Sequence, residues 1–388
     1  MDEFKDFLNS IPGLSAEPTP FIQGTGNTVL DFEGEQFDFD DTILEIPIAD
    51  SLDSSAPSPV QTDDLILGPV RKDRPLTVED KLTYAVERYY MDVRDGFRIT
   101  ARGRLFVPGA HSRYQTLYNW VKKHAVIYGE VQLFQVDDKW LKGFIHFLHH
   151  QDLSLNTVAG YVDNIHAMFS NLVTDGLALP TLTIRVSPEA SNSVFNSEEE
   201  LKTLMNTTYS HEALTITSEI FVMQSYLGFR VGTLQKFLRE PQLYLFQNEE
   251  RWFIQIRTNK TGVIVTVPVK TIVLDILKRR NYTFEPAYYE QYYNSLIKLM
   301  AREAGLDYIV AYTITFGNKR KEFRDPKCEL MASHTARRNF ATNAFLAGVP
   351  AESIMWITGH TTIEAFLRYI RCDSLANAIA MAKHPFFN

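Results

Sequence analysis

Ser333-His334-Thr335-Ala336-Arg337-Arg338-Asn339-Phe340-Ala341-Thr342-Asn343, then Ile357-Thr358-Gly359-His360-Thr361-Thr362 and, nine residues after His360, Tyr369, form the stretch that decides how this chain reads. His334 and Arg337 stand three residues apart, so on a helix they share one face. At the start of that helix the backbone N–H groups lack partners, which suits the face to an anion. Phe340, Ala344 and Phe345 supply the apolar positions expected to turn inward. Pro350 is suited to open the next helix and Gly359 to close it, which places His360 directly after a helix end. Tyr369 falls inside the following segment, Ile363–Arg371.

Outside this stretch the chain has ordinary globular composition. At 388 residues it is long enough for two domains, and 45% hydrophobic with 22% charged residues suits each with a core. Apolar runs such as Val263–Val269 are far shorter than the ~20 residues that span a bilayer. Met1–Ser10 is acidic where a secretion signal would be basic, so no membrane association is expected and the cytoplasm is the expected compartment. The two cysteines, Cys328 and Cys372, make no disulfide framework and fit a reducing interior.

The net charge of −8 averages two unlike parts. Residues 1–66 hold fifteen acidic residues against one lysine, whereas the remainder holds 38 basic against 32 acidic. The body is therefore mildly basic, as a partner for phosphate should be. Residues 1–70 read as a disordered acidic region: acidic and apolar residues alternate over Asp31–Ile48, and Ser/Pro clusters follow at Ser51–Pro59. It would serve as a solubilising tail, or as an arm that occludes a DNA channel or recruits a partner.

Residues 76–185 carry helical periodicity. Tyr114–Val126, Asp138–His150 and Asn156–Asp175 repeat apolar residues every three or four positions, the last with a stripe of Val158, Tyr161, Ile165, Met168, Phe169 and Leu172. Arg113, Lys122, Lys123, Lys139 and Lys142 could track a DNA backbone or simply solvate their helices. Residues 186–196 read as a linker, ending at Ser197-Glu198-Glu199-Glu200, a capping box that opens a helix over Glu198–Met205. The second domain, 197–388, is expected to be mostly helical around one small β element. There Arg251–Arg257 and Val263–Val269 alternate across the turn Asn259-Lys260-Thr261-Gly262.

His-x-x-Arg, Gly-His and a Tyr nine residues on resemble the C-terminal signature of the tyrosine recombinases, or phage integrases, of the mobile-element type. The resemblance covers Ser333–Arg371 most closely, extends to Tyr226–Phe237 and Thr258–Pro268, and is consistent with the family's core-binding domain at 105–182. It implies a mainly α fold with a small β-sheet, in which a helical core-binding (SAM-like) domain and a catalytic domain form a C-shaped clamp on double-stranded DNA. It also implies four protomers exchanging strands on two DNA sites, allows for accessory DNA-bending proteins, and calls for no cofactor. The segment after Tyr369, Ser374–Lys383 followed by His384-Pro385-Phe386-Phe387, would dock on a neighbouring protomer or fold back on its own.

Residue by residue, the family pattern makes Tyr369 the nucleophile, Arg230 (in Leu227-Gly228-Phe229-Arg230) and Arg337 the phosphate clamps, Lys260 the general acid, and His334 and His360 the phosphate and proton handlers. The family's acidic residue three positions after the first arginine is replaced here by Thr233, which puts the support of Arg230 in question. Arg338 and Lys270 are the neighbours that could compete with Arg337 and Lys260. His146, His149 and His150 have helical spacing but lack the Glu and third ligand of a zinc enzyme.

The chemistry explains these residue types. A phenol near pKa 10 is a poor nucleophile at neutral pH, and attack on a phosphodiester builds charge on the non-bridging oxygens. Guanidiniums stay charged and bind such oxygens in pairs. Two rival readings use the same scaffold: a type IB topoisomerase that reseals the original strand, and a DNA-binding regulator without catalysis.

Overall fold

The computed structural model describes residues 74–388 apart from 101–102, 104, 107–108, 190–192, 260–261, 285–289, 371–377, 379–380, 383–386 and 388. The acidic region at 1–70, Lys260, Cys372 and most of Ser374–Lys383 therefore lie outside the described residues. Two compact units emerge. The first joins the helical residues up to Glu189 with Thr313–Lys321, and the second joins Ala190–Tyr312 with Glu322–Asn388.

The helical unit contains α1 (Leu82–Arg94), α2 (Ala110–Tyr128), α3 (Asp138–His149) and α4 (Leu155–Thr174). Asp137 caps α3 by accepting from Trp140 N, and Ser154 caps α4 by accepting from Thr157 N, so each turn ends on a residue that satisfies an orphan donor. The α4 stripe buries Val158, Ile165, Met168, Phe169 and Leu172 as the periodicity predicts. Val162, outside that reading, is buried too, while Tyr161 is only partly buried. Tyr89, Leu117, Leu133, Leu141 and Phe144 complete the core. Arg113, Lys122, Lys123, Lys139 and Lys142 are all exposed, with the Lys123 ammonium 4.2 Å from the centroid of the Trp120 ring.

In the second unit, α5 (Glu198–Asn206) opens on the predicted capping box, Ser197 with Glu200. At its centre stands α6 (Glu212–Leu227), buried on nearly every side. It is followed by α7 (Val231–Arg239), an antiparallel sheet of β1 (Leu245–Asn248), β2 (Arg251–Arg257) and β3 (Ile264–Pro268), then α8 (Thr271–Arg279) and α9 (Glu290–Glu303). Ile254, Ile256, Val265 and Val267 turn one face of the sheet into the core, alternating as strand geometry requires.

The sequence reading expected one β element, but the described residues contain two. β4 (Ile309–Phe316) and β5 (Lys319–Pro326) form a second hairpin. β4 is mostly half-buried with no fully buried residue, and β5 is a largely exposed charged run, so period-2 hydrophobicity does not mark the hairpin. Its tip belongs to the helical unit, where the Glu189 carboxylate accepts from Thr315 N at 2.8 Å and Thr315 Oγ1 at 2.7 Å.

Among the described residues three further named helices follow: α10 (Ser333–Leu346), α11 (Ala351–Thr358) and α12 (Ile363–Tyr369). Pro350 stands at the N-cap of α11, and Gly359, at φ +66°, ends it in the left-handed conformation. One expectation needs correcting. The face of α10 that is wholly buried carries Arg337, Arg338, Asn339 and Thr342, while Phe340, Ala344 and Phe345 are only partly buried. Those three pack with Ala341, Ile354, Phe366 and Ile370 in a small satellite core separate from the main one.

The stretch before α5 also departs from its reading as a bare linker, because Val194 and Asn196 are buried in the second unit. Asn339 on α10 bonds the Asn196 backbone N at 2.6 Å, and Asn343 Nδ2 donates to Asn196 O at 2.9 Å.

Candidate active site

The loop between α6 and α7 positions Arg230. Gly228 sits at φ +68°, and a Cβ there would lie 2.6 Å from Phe340 Cδ1, so only glycine permits both the turn and the packing of α10. Gln224 fixes the loop twice: its carbonyl accepts from Gly228 N, and its Nε2 donates to Phe229 O at 2.9 Å. Arg337, 3% exposed, donates from Nη1 to the carbonyl oxygen of Gly228. Arg337 is thus tied to the loop that carries Arg230, at a carbonyl two residues before it.

Thr233, where the family has an acid, is buried, and its Oγ1 accepts from Asn259 N at 3.4 Å. Asn259 Nδ2 in turn donates to Gly232 O at 2.8 Å. The hydroxyl therefore ties the β2–β3 turn to the start of α7 beside Arg230. Lys260, the residue of interest in that turn, is outside the described residues. Lys270, its possible competitor, lies 3.1 Å from the Glu198 carboxylate and 4.1 Å from the centroid of the Tyr226 ring.

His334, His360 and Tyr369 come together as a cluster of rings. The His334 ring meets the Tyr369 ring edge-on, with centroids 5.4 Å apart at 84°, and His360 lies at 4.7 Å and 49°. Tyr369 is the last residue of α12, and its hydroxyl oxygen is buried. On a helix end, the side chain is held by the satellite core rather than by the main one.

The tautomer of His360 follows from its partner. Thr358 Oγ1 has one proton, donated to Ile354 O at 2.9 Å, and the same oxygen lies 2.8 Å from His360 Nδ1. With that proton on Ile354 O, Nδ1 is the donor, and this is the tautomer in which a neutral ring keeps its lone pair on Nε2.

Sequence reasoning treated Arg338 only as an alternative to Arg337. Its guanidinium carbon lies 5.0 Å from the centroid of the Tyr369 ring, while Nη1 donates to Val194 O at 3.3 Å. The His-x-x-Arg spacing favours Arg337 as the clamp but gives Arg338 no role of its own; its direction off α10 does.

His146 and His150 lie on exposed surface at the end of α3, and His150 Nδ1 is 2.7 Å from His146 O. Among the described residues no group of three or more His, Cys, Asp or Glu is arranged to hold a metal, and no helix is long and apolar enough to cross a membrane.

No curated protein matches the chain. The family model of the phage integrase SAM-like domain matches residues 98–180, within the helical unit. Among solved structures, the XerH site-specific recombinase in a post-cleavage complex with palindromic difH substrate superposes with a TM-score of 0.53 at 14% identity, covering 78% of this chain and 84% of that one. The Tn1549 transposon integrase in complex with circular intermediate DNA gives a TM-score of 0.50 at 14% identity, covering 77% and 99%. A lambda integrase tetramer bound to a Holliday junction gives 0.50 at 12% identity, covering 75% and 78%. The chain thus carries a phage integrase SAM-like domain and has the mainly helical fold, with small antiparallel sheets, of the tyrosine recombinases.

Proposed function

We propose that the protein is a site-specific DNA recombinase of a mobile element, cutting and rejoining double-stranded DNA through Tyr369. The observation that carries this reading is the ring cluster of Tyr369, His334 and His360, on the same unit as Arg337 and the Arg230 loop to which it is tied at Gly228. Resemblance supplies the reaction type and the role of each group, and the geometry of the described residues supports that reading.

Tyr369 Oη attacks the phosphorus, forming a 3′-phosphotyrosyl bond as the bond to the 5′ oxygen breaks. The phenolic proton passes to a histidine, for which His360 Nε2 has the required lone pair. Arg230 and Arg337 stabilise the charge gathering on the non-bridging oxygens, and being guanidiniums they do so without changing protonation. Lys260 protonates the departing 5′ oxygen. Because the phosphotyrosyl ester keeps the bond energy, a 5′-hydroxyl from another strand reverses the step and ligates. Strand exchange then needs two DNA sites, and a tetramer on DNA supplies the four active tyrosines. The exposed lysines and arginine of α2 and α3 track the DNA backbone in this reading.

The test uses a supercoiled plasmid carrying the DNA that flanks the coding sequence. Detergent-trapped protein–DNA adducts from the wild-type chain, absent from Tyr369→Phe, are the expected result. A protein that binds this DNA but never forms an adduct is a regulator. Adducts and plasmid relaxation without joining of two sites point to a topoisomerase.

A further inference from the structure

We infer that Arg338 is a positioning residue for Tyr369, holding the nucleophile's ring from the face while the two histidines bound it. This rests on the proposed cleavage chemistry. Three observations converge on it. Arg338 is 3% exposed, so its charge is placed inside the unit rather than in solvent. Its guanidinium carbon lies 5.0 Å from the centroid of the Tyr369 ring, within the range of a cation–π attraction that strengthens when water is excluded. The other end of the group is fixed, because Nη1 donates to Val194 O in a segment that Asn339 and Asn343 already bind to α10.

The need for such a device follows from where Tyr369 sits. It ends a seven-residue helix, and its local packing is the satellite core of Ala341, Ile354, Phe366 and Ile370. Helix ends fray, and so small a core holds one loosely. A nucleophile off its line of attack by about an ångström loses much of its rate. A rigid, charged group that is buried on the neighbouring helix constrains the ring in a way that an apolar contact does not, since it also favours negative charge developing on the phenol. Arg338 touches the ring and not the phosphate in this arrangement, which separates its role from that of adjacent Arg337.

The experiment compares wild type, Arg338→Lys and Arg338→Gln in the full chain, on the supercoiled plasmid carrying the flanking DNA. Both substitutions keep a donor for Val194 O, but only Lys keeps the charge. Single-turnover adduct formation is read beside plasmid affinity and thermal midpoint. We expect Gln to slow adduct formation about tenfold with affinity within about twofold, and Lys to stay within about threefold of wild type. Gln equal to wild type, or Lys and Gln equally slow, overturns the positioning role. If the Gln variant fails to fold, Arg338→Met gives the uncharged comparison, and a Met variant that matches Lys overturns it likewise. A wild-type chain that forms no adduct overturns the cleavage reading itself, an outcome that the variants alone cannot mimic.

Discussion

Arg337 Nη1 donates to the carbonyl oxygen of Gly228, two residues before Arg230, so the position of one predicted clamp is conditional on the other. Gly228 is pressed against Phe340 as well, from the same helix that carries Arg337. Gly228→Ala should therefore cost about 2–4 kcal/mol, combining left-handed strain with a clash, and should abolish adduct formation. Gly359→Ala is the control, because its φ is equally positive but nothing lies within 4 Å of the added Cβ. It should cost only about 1 kcal/mol. Thermal melts of both variants check the difference; equal losses would mean that the contact with Phe340 is readily relieved.

Arg337 uses one nitrogen on the Gly228 carbonyl, so its clamp role requires the remainder of a planar fork. Arg337→Ala should lower cleavage about 10²-fold or more with a smaller effect on binding. Arg337→Lys should recover little, since an ammonium cannot serve both partners in a fixed plane. Cleavage rates beside gel-shift affinities decide it. Binding and cleavage falling together would make Arg337 a DNA-positioning contact.

Asn339 is fully buried and bonds Asn196 and, at 3.0 Å, Ser225 Oγ. Asn339→Leu should destabilise the second unit by about 2–4 kcal/mol, because the Asn196 N–H loses its acceptor away from water. Urea unfolding measures this. A change below about 1 kcal/mol would show that the network relaxes onto other partners.

Acid should weaken the helical unit through Asp80. The Arg74 guanidinium beside it, helped by the Thr77 backbone N–H and opposed by burial, holds its carboxyl down to about 2, below the usual carboxylate value. A depressed folded value stabilises above the unfolded value near 4 and loses that contribution as pH falls towards 2. Arg74 is 58% exposed, so screening limits the contribution to about 1 kcal/mol. Asp80→Asn should be less stable than wild type at pH 7, with most of the gap closed near pH 2. A gap as large at pH 2 as at pH 7 would assign it to packing.

Much of this protein was legible because its information is local. Capping at Ser197, the stop at Gly359 and the alternation of Arg251–Arg257 each depend on a few consecutive residues, and each stands as read. So does the periodicity of α4, whose buried face repeats at helical spacing. The motif spacing that names the fold family is likewise a property of the chain order, and the matched domain and the superposed structures agree with it.

What the sequence could not determine are the relations between residues far apart in it. Val162 and the β4–β5 hairpin escaped because periodicity marks amphipathic segments, whereas one sits beside the read stripe and the other has no fully buried face. The polar inward face of α10 escaped for the opposite reason, since a buried arginine looks like a solvated one until its partners are found. Sequence alone pointed to the residue types that the proposed chemistry would use, and to helices for His334, Arg337 and Tyr369. Only the tertiary structure decided that Arg337 turns to Gly228 and Arg338 to Tyr369, because two adjacent side chains on a helix diverge by about 100° and meet whatever the fold has packed there.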